Sequence, residues 1–190
     1  MTNAIRAWHF LADTGFLRDG REPPPDGEWL VHEGRIEICR SGLHASRKAR
    51  DALSYAPGSI VCRVECRGIE GVESDKFVCR ERKIIWRADA TKTLRHFARL
   101  CALDVIHRWD APDVVVRYLR TGDEALKDAA RDVARGAARG ATRAAAWDAA
   151  WDAAWAAARD ATWDTTREKQ NRRLERMLLE LGRQTRGGEQ

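Results

Sequence analysis

Apolar and polar residues alternate from Ser59 to Cys66, with Ile60, Cys62, Val64 and Cys66 on one side and Val61, Arg63 and Glu65 on the other. A period of two marks a half-buried β-strand. Residues 4–11 (AIRAWHFL) have strand composition, and residues 76–86 (KFVCRERKIIW) supply one or two further strands. Segments 28–32 and 35–39 flank Glu33-Gly34, which predicts a hairpin closed by a two-residue turn. Residues 21–27 (REPPPDG) must form a loop, because three prolines remove donors and fix φ. The stretch SRKARDALSYA predicts a short helix with Ser46 as its N-cap and Pro57-Gly58 as its stop.

The period changes at about Asp89. Leu94, Phe97, Ala98, Cys101, Val105 and Ile106 recur at helical spacing. Pro112 suits the first turn of a second helix running through Leu119, and Thr121-Gly122-Asp123 breaks it. From Arg131 to Arg167 every fourth residue is arginine or tryptophan, separated mostly by Ala, Asp, Gly and Thr. Each four-residue step drifts by only ~40° around an α-helix, so these side chains stack along a slowly winding stripe. Trp147, Trp151 and Trp155 are expected to be largely buried in a helical bundle; the alternative is an arm that pairs with a second copy in a homodimer. Leu174, Met177, Leu178 and Leu181 end the pattern with one more amphipathic segment. The fold class is therefore α+β: a small β-rich N-terminal domain (1–88) packed on an Ala-rich helical C-terminal domain (89–182), followed by a frayed tail (183–190).

Composition adds limits. No run of apolar residues is long enough for a membrane helix, because Asp148, Asp152, Asp160 and Asp164 interrupt the alanine tract. The N-terminus lacks the pattern of a secretory signal, so a cytoplasmic location in a host cell is expected. The net charge of +5 lies mainly in the helical half, which permits an acidic partner without amounting to a nucleic-acid footprint. Five cysteines include no CxxC pair, so zinc binding by Cys62, Cys66 and His44 is disfavoured against buried, reduced thiols. Neither a metal nor a cofactor is expected from the spacing of residues.

Three features are candidates for chemistry. Arg131, Arg135, Arg139 and Arg143 share one helical face and could track a phosphate backbone, though Asp128 and Asp132 lie within pairing reach and a solvated face is the simpler account. The tryptophan ladder could stack bases, but aromatics at helical spacing are more often core. The turn CRSGLHAS (39–46) links a strand to a helix start where an anion could sit, with His44 and Ser46 facing it and His9 beside them; a tight turn at Gly42 and a simple cap at Ser46 would serve equally. No Gly-rich phosphate loop, HExxH or nucleophile elbow is present.

The segments WHFL, CRSGLHAS, DALSYAPGSIVCRVEC and DKFVCRERKIIW resemble a family of uncharacterised proteins carried by bacteriophages and prophages. The Ala/Trp/Arg-rich helical tail resembles the tails of that family and of proteins proposed to confer bacterial immunity. This resemblance implies a non-enzymatic accessory protein that binds a host or phage protein, or a protein–nucleic acid complex, as an inhibitor of a defence system. A looser likeness is to ADP-ribosyltransferase-type folds, in which a strand histidine, a Ser/Thr after a following strand and a late glutamate grip a nicotinamide dinucleotide. That likeness implies a nucleotide-dependent transferase with His9, Ser46 and Glu81 in those roles.

Overall fold

The computed structural model describes residues 4–108, 110–134 and 156–188. Five antiparallel strands, β1 (Ile5–Leu11), β2 (Trp29–Val31), β3 (Leu43–Ala45), β4 (Ile60–Val72) and β5 (Phe77–Asp89), form one sheet. The helices are α1 (Ala49–Leu53), α2 (Thr91–Asp104), α3 (Asp113–Thr121) and α4 (Ala156–Gly187), with single 3-10 turns at Ile106–Arg108 and Glu124–Leu126. The α+β class follows directly. Contacts divide the chain into two units, residues 1–94 with 171–190, and residues 95–170.

In the first unit β4 and β5 form the long central hairpin, and β1 pairs with the outer edge of β4 in register from Ile5–Cys66 to Leu11–Ile60. Both β2 and β3 pair with the far edge of β5. The register slips at Arg63/Val64, where Ile85 is the extra residue on β5 and adds local twist. Twist carries the sheet round until its ends meet: Trp8 of β1 and Ser46, just past β3, exchange backbone hydrogen bonds of 2.8 and 3.0 Å. Ala7, Leu11, Leu43, Ala45, Cys62, Val64, Cys66, Phe77, Cys79 and Ile84 fill the enclosed side. These are the apolar positions that alternation assigns to one face. Cys62, Cys66 and Cys79 are free thiols within that interior, and burial pushes the Cys62 thiol up to about 12.

Two local expectations are corrected. Residues 28–32 and 35–39 do not form a hairpin with each other: Trp29–Val31 pairs with Lys83–Glu81, the His32 amide donates to the Arg80 carbonyl (2.9 Å), and residues 37–41 close a turn through Ser41 N to Glu37 O (2.8 Å). Alternation specifies a face and not a partner, and the free edge of the long β5 strand outcompetes a short local neighbour. Nor is Ser46 a helix cap. Its backbone is committed to Trp8, α1 begins after Lys48 with no side-chain cap from that residue, and the last helix supplies what is missing. Asn171 Oδ1 accepts from Arg50 N (3.1 Å) and Glu175 Oε1 accepts from Ala49 N (3.3 Å). The same helix buries Leu174 and Leu178 completely and lays Gly182 on the Trp86 ring, where a Cβ would come within 2.6 Å of Cζ2. It stays helical through residues 183–187, in the stretch expected to fray.

The second unit consists of helical segments. Gly122 ends α3 with φ 70°, returning its amide to the Tyr118 carbonyl, and the Arg99 guanidinium packs over it so closely that a Cβ would approach to 2.5 Å. Asp123 caps the next turn through Ala125 N (3.0 Å). Residues 135–155, which include Trp147, Trp151 and Trp155, lie outside the described residues.

Candidate functional site

The ring of strands is closed by one bridge between β1 and the end of β3, and the two chains part beyond it. A cavity of ≈ 610 Å³ opens at this seam. Its walls are Trp8, His9 and Phe10 of β1, residues 39–46, the loop from Leu17 to Arg21, and Ala52, Tyr55 and Pro57 from α1 and its exit. All of these residues belong to the first unit.

Arg82 of β5 crosses the seam from within. Its Nη1 donates to the His44 carbonyl (2.7 Å) on one lip and to His9 Nδ1 (3.2 Å) on the other. The guanidinium thereby supplies donors where a continuous β1–β3 ladder would have supplied amides. Arg82 is 6% exposed, and burial draws its pKa down from the guanidinium's ordinary value, yet a guanidinium stays charged. Nη1 makes both of these bonds. A buried cation normally has a carboxylate against it. Here its partners are a carbonyl and an imidazole.

His9 is held well below its ordinary pKa, first by burial and then by the charge of Arg82. Because Arg82 can only donate, Nδ1 is the acceptor and the ring proton is assigned to Nε2. His44 is also shifted down, chiefly by burial. Its Nε2 accepts from Cys39 N (3.0 Å) in the loop beneath it. Cys39 sits at φ 68° where this bond is made, and Gly42 in the same loop has φ 110°. At Gly42 an added Cβ would lie 2.5 Å from Val78 Cγ2, so space and conformation both require glycine.

The mouth is basic. Arg18 reaches the Tyr55 carbonyl (3.4 Å), Arg21 is forked onto Asp19 (2.7 and 2.9 Å), and Arg40 pairs with Glu37 (3.1 Å). Lys76 contacts Glu73 (3.0 Å) and the Tyr55 hydroxyl (3.2 Å), which itself donates to Asp75 (2.6 Å). Arg18, Arg21, Arg40, Lys76 and Arg82 thus face a cavity that Asp19 alone among its lining residues supplies with a carboxylate. The imidazoles of His9, His32 and His44 and apolar walls of Trp8, Phe10, Leu17, Leu43 and Ala52 complete it.

Of the residues singled out from sequence, the structure brings His9, His44 and Ser46 to one cavity. Glu81 does not join them. It is the strand neighbour of Arg82, so alternation turns it to the other face, opposite Arg67 and Val31. Of the arginine row, Arg131 sits in the helical stretch 127–134, exposed and paired with Asp128 (3.1 Å); Arg135, Arg139 and Arg143 lie outside the described residues. Among the described residues no group of three or more His, Cys, Asp or Glu is arranged to hold a metal, and no helix is long and apolar enough to cross a membrane.

Residues 23–96 match the model of a domain family of unknown function, DUF7666. The matched stretch runs from the loop before β2 into α2, so it contains His44, Tyr55 and Arg82 and leaves out β1 with His9. No curated protein and no solved structure matches the chain.

Arg82, Arg18 and Tyr55 were not singled out from sequence. Arg82 did leave a signal: alternation back from Ile84 puts a charge on the apolar face of β5. Arg18 and Tyr55 reach the cavity from loops, and periodicity carries no information about them.

Proposed function

We propose that the first unit binds a phosphate-bearing small molecule of the nucleotide class in the seam cavity. The observation that carries this reading is the Arg82 guanidinium, buried at the cavity floor without a carboxylate bonded to it. An arginine fork matches phosphate or carboxylate oxygens in a bidentate manner, and a dry site strengthens the attraction. The apolar walls suit a ring system, and the volume falls within the range of cofactor-sized pockets. Binding is a better reading than ADP-ribosyl transfer. The glutamate that the transferase likeness calls for, Glu81, lies on the opposite face of the strand, and the one carboxylate lining the cavity, Asp19, is engaged by Arg21.

Calorimetry and thermal melts with AMP, ADP, ATP and an oxidised nicotinamide dinucleotide test the proposal. At least one ligand should bind, and Arg82→Gln should weaken it by about tenfold or more, in line with loss of a charged hydrogen bond. Arg18→Gln, at the exposed mouth, should weaken binding without lowering the melting midpoint. Failure of all four ligands to bind, or equal affinity in both variants, would sink the proposal.

The accessory role implied by the phage resemblance, inhibition of a defence system through a macromolecular partner, stands beside this as a separate proposal. It draws on the exposed Arg131 and its row. Replacing Arg131, Arg135, Arg139 and Arg143 with Gln tests it, since partner affinity and its salt slope should both fall.

A further inference from the structure

We propose that the last helix straps the cavity wall in place, by capping α1 and bracing β1, so that seating of residues 171–187 and occupancy of the cavity are linked. Two paths join them. The first runs through α1, a helix of five residues that has no cap of its own. Such a helix cannot be stable alone, because its first amides have no intrahelical acceptors and too few residues follow to offset nucleation. Asn171 and Glu175 accept from two of those amides, those of Arg50 and Ala49. The far side of α1 and its exit carry Ala52 and Tyr55 into the cavity wall. The second path runs through tryptophan. Gly182 lets the helix backbone lie flat on Trp86, and Trp86 meets Trp8 edge-on at 6.0 Å between centroids. Trp8 lines the cavity, and through its backbone it makes the bridge to Ser46 that closes the seam.

The short helix and its exit are therefore asked to do two things. Ala49 and Arg50 take their acceptors from the strap while Ala52 and Tyr55, one turn on, face the ligand. A ligand that binds only the closed wall must favour the seated helix, and by linkage an agent that unseats the helix must empty the cavity. Only the ligand half of this inference rests on the nucleotide reading.

Hydrogen exchange on the full chain tests the strap without any ligand. In Asn171→Ala/Glu175→Ala the amides of residues 49–55 should exchange about tenfold faster, as expected when caps are lost from a marginal helix, while β4 and β5 stay protected. Asn171→Asp/Glu175→Gln keeps an acceptor at each position and should restore slow exchange. If the alanine pair leaves residues 49–55 protected, or the acceptor-retaining pair behaves like it, the strap is refuted. With ADP as probe, the alanine pair should raise Kd by about fivefold and the acceptor-retaining pair should not. An unchanged Kd for ADP against faster exchange would refute the link to occupancy. If ADP does not bind, whichever of AMP, ATP and the oxidised dinucleotide binds takes its place as probe; if none of the four binds, the nucleotide reading fails and the exchange comparison alone decides the strap.

Discussion

A charged side chain set into a β-seam does two jobs that ordinarily conflict. Arg82 joins His9 to the His44 carbonyl, and it also leaves positive charge facing a cavity. Removing it should cost stability as well as binding: Arg82→Ala is expected to destabilise by about 2 kcal/mol, read as a lower urea midpoint at unchanged m-value, because it orphans a part-buried carbonyl and opens the seam. The histidines set a pH dependence. His9 and His44 are both shifted below 6.5 in the folded chain, so between those lowered values and 6.5 the unfolded chain binds more protons. Stability is then full above pH 6.5 and falls as the pH drops below it, with a slope for His9 of up to about 1.4 kcal/mol per pH unit. Denaturant midpoints measured from pH 7.5 to 5 should decline in the native chain and decline less in His9→Gln. Gly42→Ala should cost roughly 2–3 kcal/mol, since it places a methyl against Val78 at a φ that L-residues avoid. These residues were only partly legible in the sequence. His9, His44 and Gly42 stand out by type, but that His44 spends its Nε2 on the Cys39 amide depends on a fold no periodicity describes.

Among the elements, those whose identity rests on local signals came out as expected: β1 by composition, β4 by alternation, β5 within its strand-like run, α2 by helical spacing and α3 after Pro112. The failures are matters of pairing. Residues 28–39 have the sequence of a hairpin, but Trp29–Val31 found a longer strand to lie against, and Arg67 and Lys83 flank Trp29 at 4.0 and 4.8 Å from its ring centre. The short helix α1 was expected, but it starts at Ala49, two residues later than a Ser46 cap implies, and the atoms that cap it lie more than a hundred residues away. The last helix is the element on which most depends. Leu178→Ala should destabilise by about 2–5 kcal/mol, the usual cost of an emptied leucine site. Gly182→Val should be at least as damaging because Trp86 cannot retreat from a buried wall. A thermal melt in which Gly182→Val matched the native midpoint would show that the helix does not lie on Trp86.

At the scale of the molecule, the unit holding the cavity is discontinuous in sequence, drawing on residues 1–94 and again on 171–190. The division between a sheet-forming half and a helical half was legible from the change of period near Asp89. The return of the chain to the first half was not, since the apolar stripe of Leu174 and Leu178 does not say what it will cover. A chain cut after Gln170 should consequently retain strand signal in circular dichroism but lose its cooperative melt, as Trp86 and α1 are left uncovered. The discontinuity also has a meaning in time. A ribosome delivers residues in order, and the sheet emerges long before the segment that finishes its wall. During synthesis of the intervening residues 95–170, the nascent sheet carries an unroofed tryptophan face and a helix without its acceptors, and the entropy of closing so long a loop delays their arrival. Completion of the cavity wall is thus a late event in the life of each copy. A chain stalled or cleaved before residue 171 would expose a sticky surface, and it would be visible to proteases and chaperones as unfinished.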